Sequence, residues 1–202
     1  MALPEEMPNA GIEGDSIHCA NRTGNAESKR TTGNTTSPNT PGLILNSVGL
    51  TLLAEIAGEF VDLLGTSCSV HEKNGDYALR TSCSPWCQFL DSISHRNGES
   101  LCDETHRREI FHRVIASQEP VDVECYSGMR VFSVPVRSGA EIVGCIAITY
   151  GDAPSDPEKL RRVADRHGIE PERLRERAAA YRAPSPRMVE LAKKRLLSAA
   201  RL

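Results

Sequence analysis

Seven cysteines and six histidines are the residues of this 202-residue chain best suited to chemistry. Cys83, Cys87, His95, Cys102, His106, His112 and Cys125 follow one another in a single stretch, with Trp86 beside the first two cysteines. Thiols and imidazoles together suit a soft divalent metal. Cys102 and His106 are four residues apart, so a helix would set both on one face. With Cys87 and Cys125 they would supply four N/S ligands, the number a closed zinc site takes, although the paired Cys-x-x-Cys spacing of zinc knuckles is missing. The alternative is burial, since a free cysteine packs as a small hydrophobe. Cys68 and Cys145 lie in apolar strands and read as core, whereas Cys87, Cys102 and Cys125 read as core or pocket lining if they are not ligands. His95 and His112 receive no role.

A cysteine nucleophile needs a lowered pKa and an oriented histidine, and the sequence offers the residue types without the geometry. Cys83 and Cys87 are separated by three residues, not the two of dithiol oxidoreductases. There is no phosphate-gripping glycine loop, no kinase acceptor region with ATP-binding motifs and no helix-turn-helix reader. No catalytic residue is assigned, and the chain reads as one that senses or scaffolds.

The elements that would position these residues begin after residue 41. Residues 1–41 are rich in Asn, Thr, Ser, Gly, Pro and charge, with too few large apolar side chains to offset the entropy of ordering, and read as a disordered tail. From 43 to 64 the apolar spacing predicts a helix stopped by Gly65. Strands over 67–72 and 77–81 flank Asn74-Gly75, a step that supplies the two left-handed conformations of a tight hairpin. Helices follow over 85–94 and 103–117, both on the same side of a sheet, and then strands over 121–125, 129–136 and 141–150. This order suits an α+β fold: a five-stranded antiparallel sheet with helices mainly on one face, as in PAS-like and GAF-like sensors. Beyond residue 151 three helices are predicted over 157–167, 171–181 and 186–202, each starting at or just after a proline. The expected organisation is thus a tail to 41, a domain over 42–151 and a helical extension over 152–202.

Length and charge restrict the partners. The size corresponds to one domain of ordinary size plus something extra. A net charge of −3 and a pI near 6.1 give no reason to expect nucleic acid. The longest apolar-rich stretches are 48–64, which Glu55, Glu59 and Asp62 interrupt, and 141–150. Neither reaches the roughly 20 residues of a membrane span. The N-terminus opens with Pro4, Glu5 and Glu6 rather than a basic region and apolar core, so no secretory signal is read and a cytoplasmic location with reduced thiols is expected.

Three segments carry a resemblance: SPWCQFLD at 84–91, LCDETHRREIF at 101–111 and PVDVECYSGMRVFSVPVRSGAEIVGCIAITYGD at 120–152. In the last, a Pro-Val step leads into a strand ending in Cys125. Gly128, a strand ending in Val-Pro-Val, a glycine turn and a final strand containing Gly144 complete the pattern. The chain resembles the PocR sensory family over about 43–202, including the C-terminal helices that lead into PAS or histidine-kinase modules in longer relatives. The resemblance implies a PAS-like module that senses small hydrocarbon derivatives such as short diols and alcohols. In that frame Trp86, Phe89, Tyr126, Met129 and Phe132 could wall a pocket whose polar or metal-bound end holds Cys87, Cys102, His106 and Cys125. Trp86 and Phe89, three apart, serve equally to pack a helix on the sheet, and Gly128 serves the backbone of a turn. The expected function is a non-enzymatic sensor that binds a small organic ligand and relays through its C-terminal helices to a histidine kinase or regulator, with a homodimer through the end helices. A zinc-stabilised interaction module or a thiol redox sensor without an organic ligand is the alternative.

Overall fold

A computed structural model of the chain describes residues 20–22, 42–82, 84–93, 95–96 and 99–201. The tail expected over 1–41 lies outside the described residues except for a three-residue strand, β1 (Ala20–Arg22). Helix α1 (Leu43–Val48) and helix α2 (Leu50–Leu64) replace the single helix expected, because Gly49 takes φ 84 and breaks the run. The buried Glu72 carboxylate accepts the backbone N–H groups of Ile44 and Leu45, which the first turn of α1 leaves without helical partners. Gly65, at φ 62, ends α2 as expected, its N–H returning to the Val61 carbonyl.

Strands β2 (Ser67–Glu72) and β3 (Tyr77–Ser82) form the hairpin predicted around Asn74-Gly75, but with different turn chemistry. The loop has four residues, and of that pair Gly75 alone takes positive φ. Asn74 instead uses its side chain, whose Oδ1 accepts the Asp76 N–H at 3.0 Å. Helix α3 (Pro85–Ile93) is followed by a short ribbon of β4 (His95–Arg96) and β5 (Glu99–Ser100). The helix expected over 103–117 begins at Leu101 and has three parts: α4 (Leu101–Thr105), a π-helical turn (His106–Phe111) and α5 (His112–Ser117). Three strands come next, β6 (Val121–Glu124), β7 (Arg130–Ser138) and β8 (Glu141–Tyr150). Helices α6 (Pro157–His167), α7 (Pro171–Ala180) and α8 (Pro186–Ala199) each carry proline in the first turn. Among the described residues no helix is long and apolar enough to cross a membrane.

The five antiparallel strands expected are present in the order β3-β2-β8-β7-β6, and β1 pairs along the outer edge of β3. Strands β2 and β8 approach closely at Gly144, where a Cβ would lie 2.0 Å from the His71 carbonyl oxygen. Side chains alternate across a strand. Cys68, Val70, Val134, Val136, Ile146 and Ile148 therefore join one apolar cluster with Leu53, Ala57 and Phe60 of α2 and Val189, Ala192 and Leu196 of α8. Cys145 and Ala147 face the other way, toward Phe111 and Val114 or toward Trp86, Cys87 and Leu90. The central helices α3 to α5 share one side of the sheet, as expected. The refinement is that α1, α2 and α8 cover the opposite face, because an inner strand apolar on both sides must be covered twice.

Candidate functional site

The cavity that gathers the predicted cysteines lies between the sheet and the central helices. Its walls are Ser67, Cys68 and Ser69 of β2, Arg80 and Ser82 of β3, and Thr149 of β8, together with Cys87 of α3 and Cys102 of α4. Cys125, Tyr126 and Ser127, on the turn after β6, complete it. About 20 Å³ is open to the centre of a water-sized sphere, which holds a molecule of very few heavy atoms.

Local bonds fix each wall. The Ser84 hydroxyl accepts the Cys87 N–H at 3.3 Å and the Gln88 side-chain amide donates to the Ser82 carbonyl at 2.6 Å, seating the start of α3 against the end of β3. The indole N–H of Trp86, a residue 1 % exposed, donates to the Ser127 carbonyl at 3.1 Å and ties α3 to the turn. In the turn itself the Cys125 N–H reaches the Met129 carbonyl and the Gly128 N–H reaches the Cys125 carbonyl, each at 2.9 Å. Gly128 takes φ 78, and a Cβ there would sit 2.4 Å from Pro154, so the turn requires glycine. Several contacts hold Tyr126: its hydroxyl donates to Glu109 in the π-helical turn at 2.7 Å, Arg166 of α6 lies over its ring at 4.3 Å, and its carbonyl meets His167 Nε2 at 3.1 Å.

Among the described residues that line the cavity, Arg80 is the charged one. Arg80 is paired with Asp91 at 3.3 Å. Burial pushes the Cys87 thiol up to about 12, and neighbouring Cys125 adds to the shift. Burial, reinforced by Cys87 and Cys125, likewise raises Cys102 well above the usual thiol range, and burial raises Cys125. The three thiols are therefore protonated at neutral pH, a state that neither attacks an electrophile nor binds a metal until the proton leaves. Cys87 Sγ lies 3.7 Å from Met129 Sδ, and Cys125 Sγ 2.9 Å from Ser127 Oγ. Among the described residues lining the cavity one hydroxyl stands out: Ser69 Oγ is buried with no hydrogen-bond partner.

Of the residues singled out from the sequence, Cys87, Cys102, Cys125 and Tyr126 line this cavity. Trp86 and Met129 pack behind it in the same cluster as the three thiols. Phe89 does not join the lining; Arg173 and Arg177 lie over its ring at 5.2 and 5.0 Å. Phe132 packs on the other side of the sheet, under Lys193 of α8 at 5.3 Å. Cys83 and the side chains of His95 and His106 lie outside the described residues, and the α-helical register shared by Cys102 and His106 ends where the π-helical turn begins. Among the described residues no group of three or more His, Cys, Asp or Glu is placed to hold a metal.

Sequence reasoning missed the hydroxyl wall of Ser67, Ser69, Ser82, Ser127 and Thr149, and Arg80 with it. The signal was present in Ser67-Cys68-Ser69-Val70, where small polar and apolar residues alternate with the period of a strand.

None of the curated proteins and none of the solved structures compared with the chain matches it. A family model, the sensory domain found in PocR, matches residues 47–201. That span takes in strands β2 to β8, the central helices with their cavity and the three C-terminal helices, and on it the chain belongs to the family of the PocR sensory domain.

Proposed function

We propose that this sensory domain binds a small, uncharged, hydroxylated hydrocarbon derivative, a short alcohol or diol, in the cavity between β2 and the central helices. Ser69 carries this reading. A buried hydroxyl without a partner costs about 1–3 kcal/mol, and a ligand hydroxyl reaching it would recover that cost. Neutral thiols and a paired arginine support an uncharged ligand over a carboxylate or phosphate, and the small volume supports a short one.

Binding would act on the turn that holds Cys125 and Tyr126. That turn is bonded to α6 through His167 and continues into β6, where Asp122 accepts Lys193 of α8 at 2.9 Å. A shift of the turn thus reaches the C-terminal helices through polar contacts on α6 and α8, and α8 would pass it to a second protein, a histidine kinase or a regulator, in the cytoplasm. The role is regulatory and not catalytic.

Titration calorimetry with a panel of short alcohols and diols tests the reading. Saturable binding is expected for at least one, weakened about tenfold in Ser69→Ala. Hydrogen exchange at saturation should change over residues 186–201, and unchanged exchange there would remove the relay. Elemental analysis of protein purified under reducing conditions should give no stoichiometric metal. About one zinc per chain, lost in Cys102→Ser or Cys125→Ser, would make those thiols ligands instead.

A further inference from the structure

We propose that the outer surface of the α2/α8 layer is a homodimer interface, in which α2 of one copy lies against α8 of the other about a two-fold axis. The inference does not depend on what fills the cavity.

Among the described residues four of the five exposed large hydrophobic side chains lie on these two helices: Leu50 and Leu52 on α2, 44 % and 48 % exposed, and Leu191 and Leu197 on α8, 40 % and 36 %. The two helices pack beside each other on the same face of the sheet. Their inward stripes are filled by Phe60 and Leu64 on α2 and by Ala192 and Leu196 on α8; by helical spacing Leu52 shares the outward face of α2 with Glu55, Glu59 and Asp62, and Leu191 that of α8 with Arg187 and Lys194.

Charge identifies the occupant. The outward charges of α2 are Glu55, Glu59 and Asp62, with no Lys or Arg in the helix, whereas α8 turns Arg187, Lys194 and Arg195 outward against Glu190 alone. Among the described residues none of the six side chains Glu55, Glu59, Asp62, Arg187, Lys194 and Arg195 makes an ion pair or hydrogen bond within the chain. The same division runs through the whole chain: residues 157–202 hold 13 of its 24 Lys and Arg but 6 of its 27 Asp and Glu.

A two-fold interface joins a patch to itself, so each feature must find its complement within the same patch. A surface acidic on one helix and basic on the next meets that condition. The two-fold sets α2 against α8 of the second copy twice, pairing opposite signs around exposed leucines, and disfavours α2 on α2 or α8 on α8. A different protein would need only one of the two signs.

Sedimentation velocity on the full chain at about 0.1 M and about 1 M salt provides the first reading, with a dimer expected that weakens as salt rises. The decisive step uses two variants whose folding is checked by circular dichroism, E55K/E59K on α2 and K194E/R195E on α8. Each alone should raise the dimer Kd by about tenfold or more. Their equimolar mixture should sediment as a heterodimer, since both of its α2–α8 contacts again join opposite signs. If a double reversal fails to fold, E59K and R195E serve in the same design. A wild-type monomer, variants that stay dimeric, or folded variants that do not pair when mixed would each overturn the proposal.

Discussion

The two faces of the sheet are built by the same strands to different ends. On one face Cys68, Val70, Val134, Val136, Ile146 and Ile148 meet α1, α2 and α8 in a continuous apolar cluster. On the other, alternate residues of those strands include Ser67, Ser69 and Thr149, and the helices above them carry thiols, a π-helical turn and a cavity. Apolar packing fills one face and, through Val131 and Ala147, part of the other, which leaves the remaining positions free to be small and polar. A sensor benefits from that division, because a cavity is a packing defect and must be placed where the fold can tolerate it.

The comparison fixes an order of effects. The largest should come from the apolar face: Phe60→Ala removes a ring 4 % exposed, and urea unfolding should report a loss of about 3–5 kcal/mol. Trp86→Phe, which keeps most of the packing but strips the indole N–H from the Ser127 carbonyl, should cost about 1–3 kcal/mol. A loss as large as that of Phe60→Ala would mean that the cavity side carries as much of the stability as the apolar face.

A smaller, pH-dependent effect belongs to His167. Burial, with a further push from Arg166, lowers its pKa from the ordinary value, although the contact with the Tyr126 carbonyl opposes the shift. The unfolded chain then binds a proton more readily than the folded one, so stability should fall as pH drops below about 6.5 and level off once the folded-state pKa is passed. Melting temperatures measured across that range should show the decline in the wild type and a flatter profile in His167→Gln. Last comes Ser69→Ala, which should not lower ligand-free stability and should raise it by about 1 kcal/mol, because the hydroxyl removed is a buried one that finds no partner. A cost above 1–2 kcal/mol would show that this hydroxyl contributes to the fold itself.

Much of the architecture was legible because it rests on local signals. Gly65 stops α2, Asn74-Gly75 marks the hairpin, and Pro157, Pro171 and Pro186 open three helices. The break at Gly49 and the π-helical turn were not legible, since hydrophobic spacing reports a stripe averaged over several turns and not a change of pitch within one. The thiols of the cavity could be named because cysteine is rare and draws notice. The serines could not, because their role comes from strand alternation combined with a sheet order, β3-β2-β8, that places residues 67, 82 and 149 around one opening. Phe132 could not be assigned a side for the same reason: two readings of strand phase differ by a single residue, and only the register fixes it against Ile148.

The π-helical turn at His106–Phe111 also sets a reading frame for the helix around it. Such a turn contains one residue more than an α-helix closing the same turn would. Deleting one residue from His106-Arg107-Arg108 would let the segment close as α-helix and rotate everything beyond it by about 100°. Val114, fully buried on α5, would leave its place against the sheet, or Cys102 would leave the cavity wall. The spacing between α4 and α5 is therefore counted in whole residues. The length of this turn is thus a constraint separate from the identity of its residues.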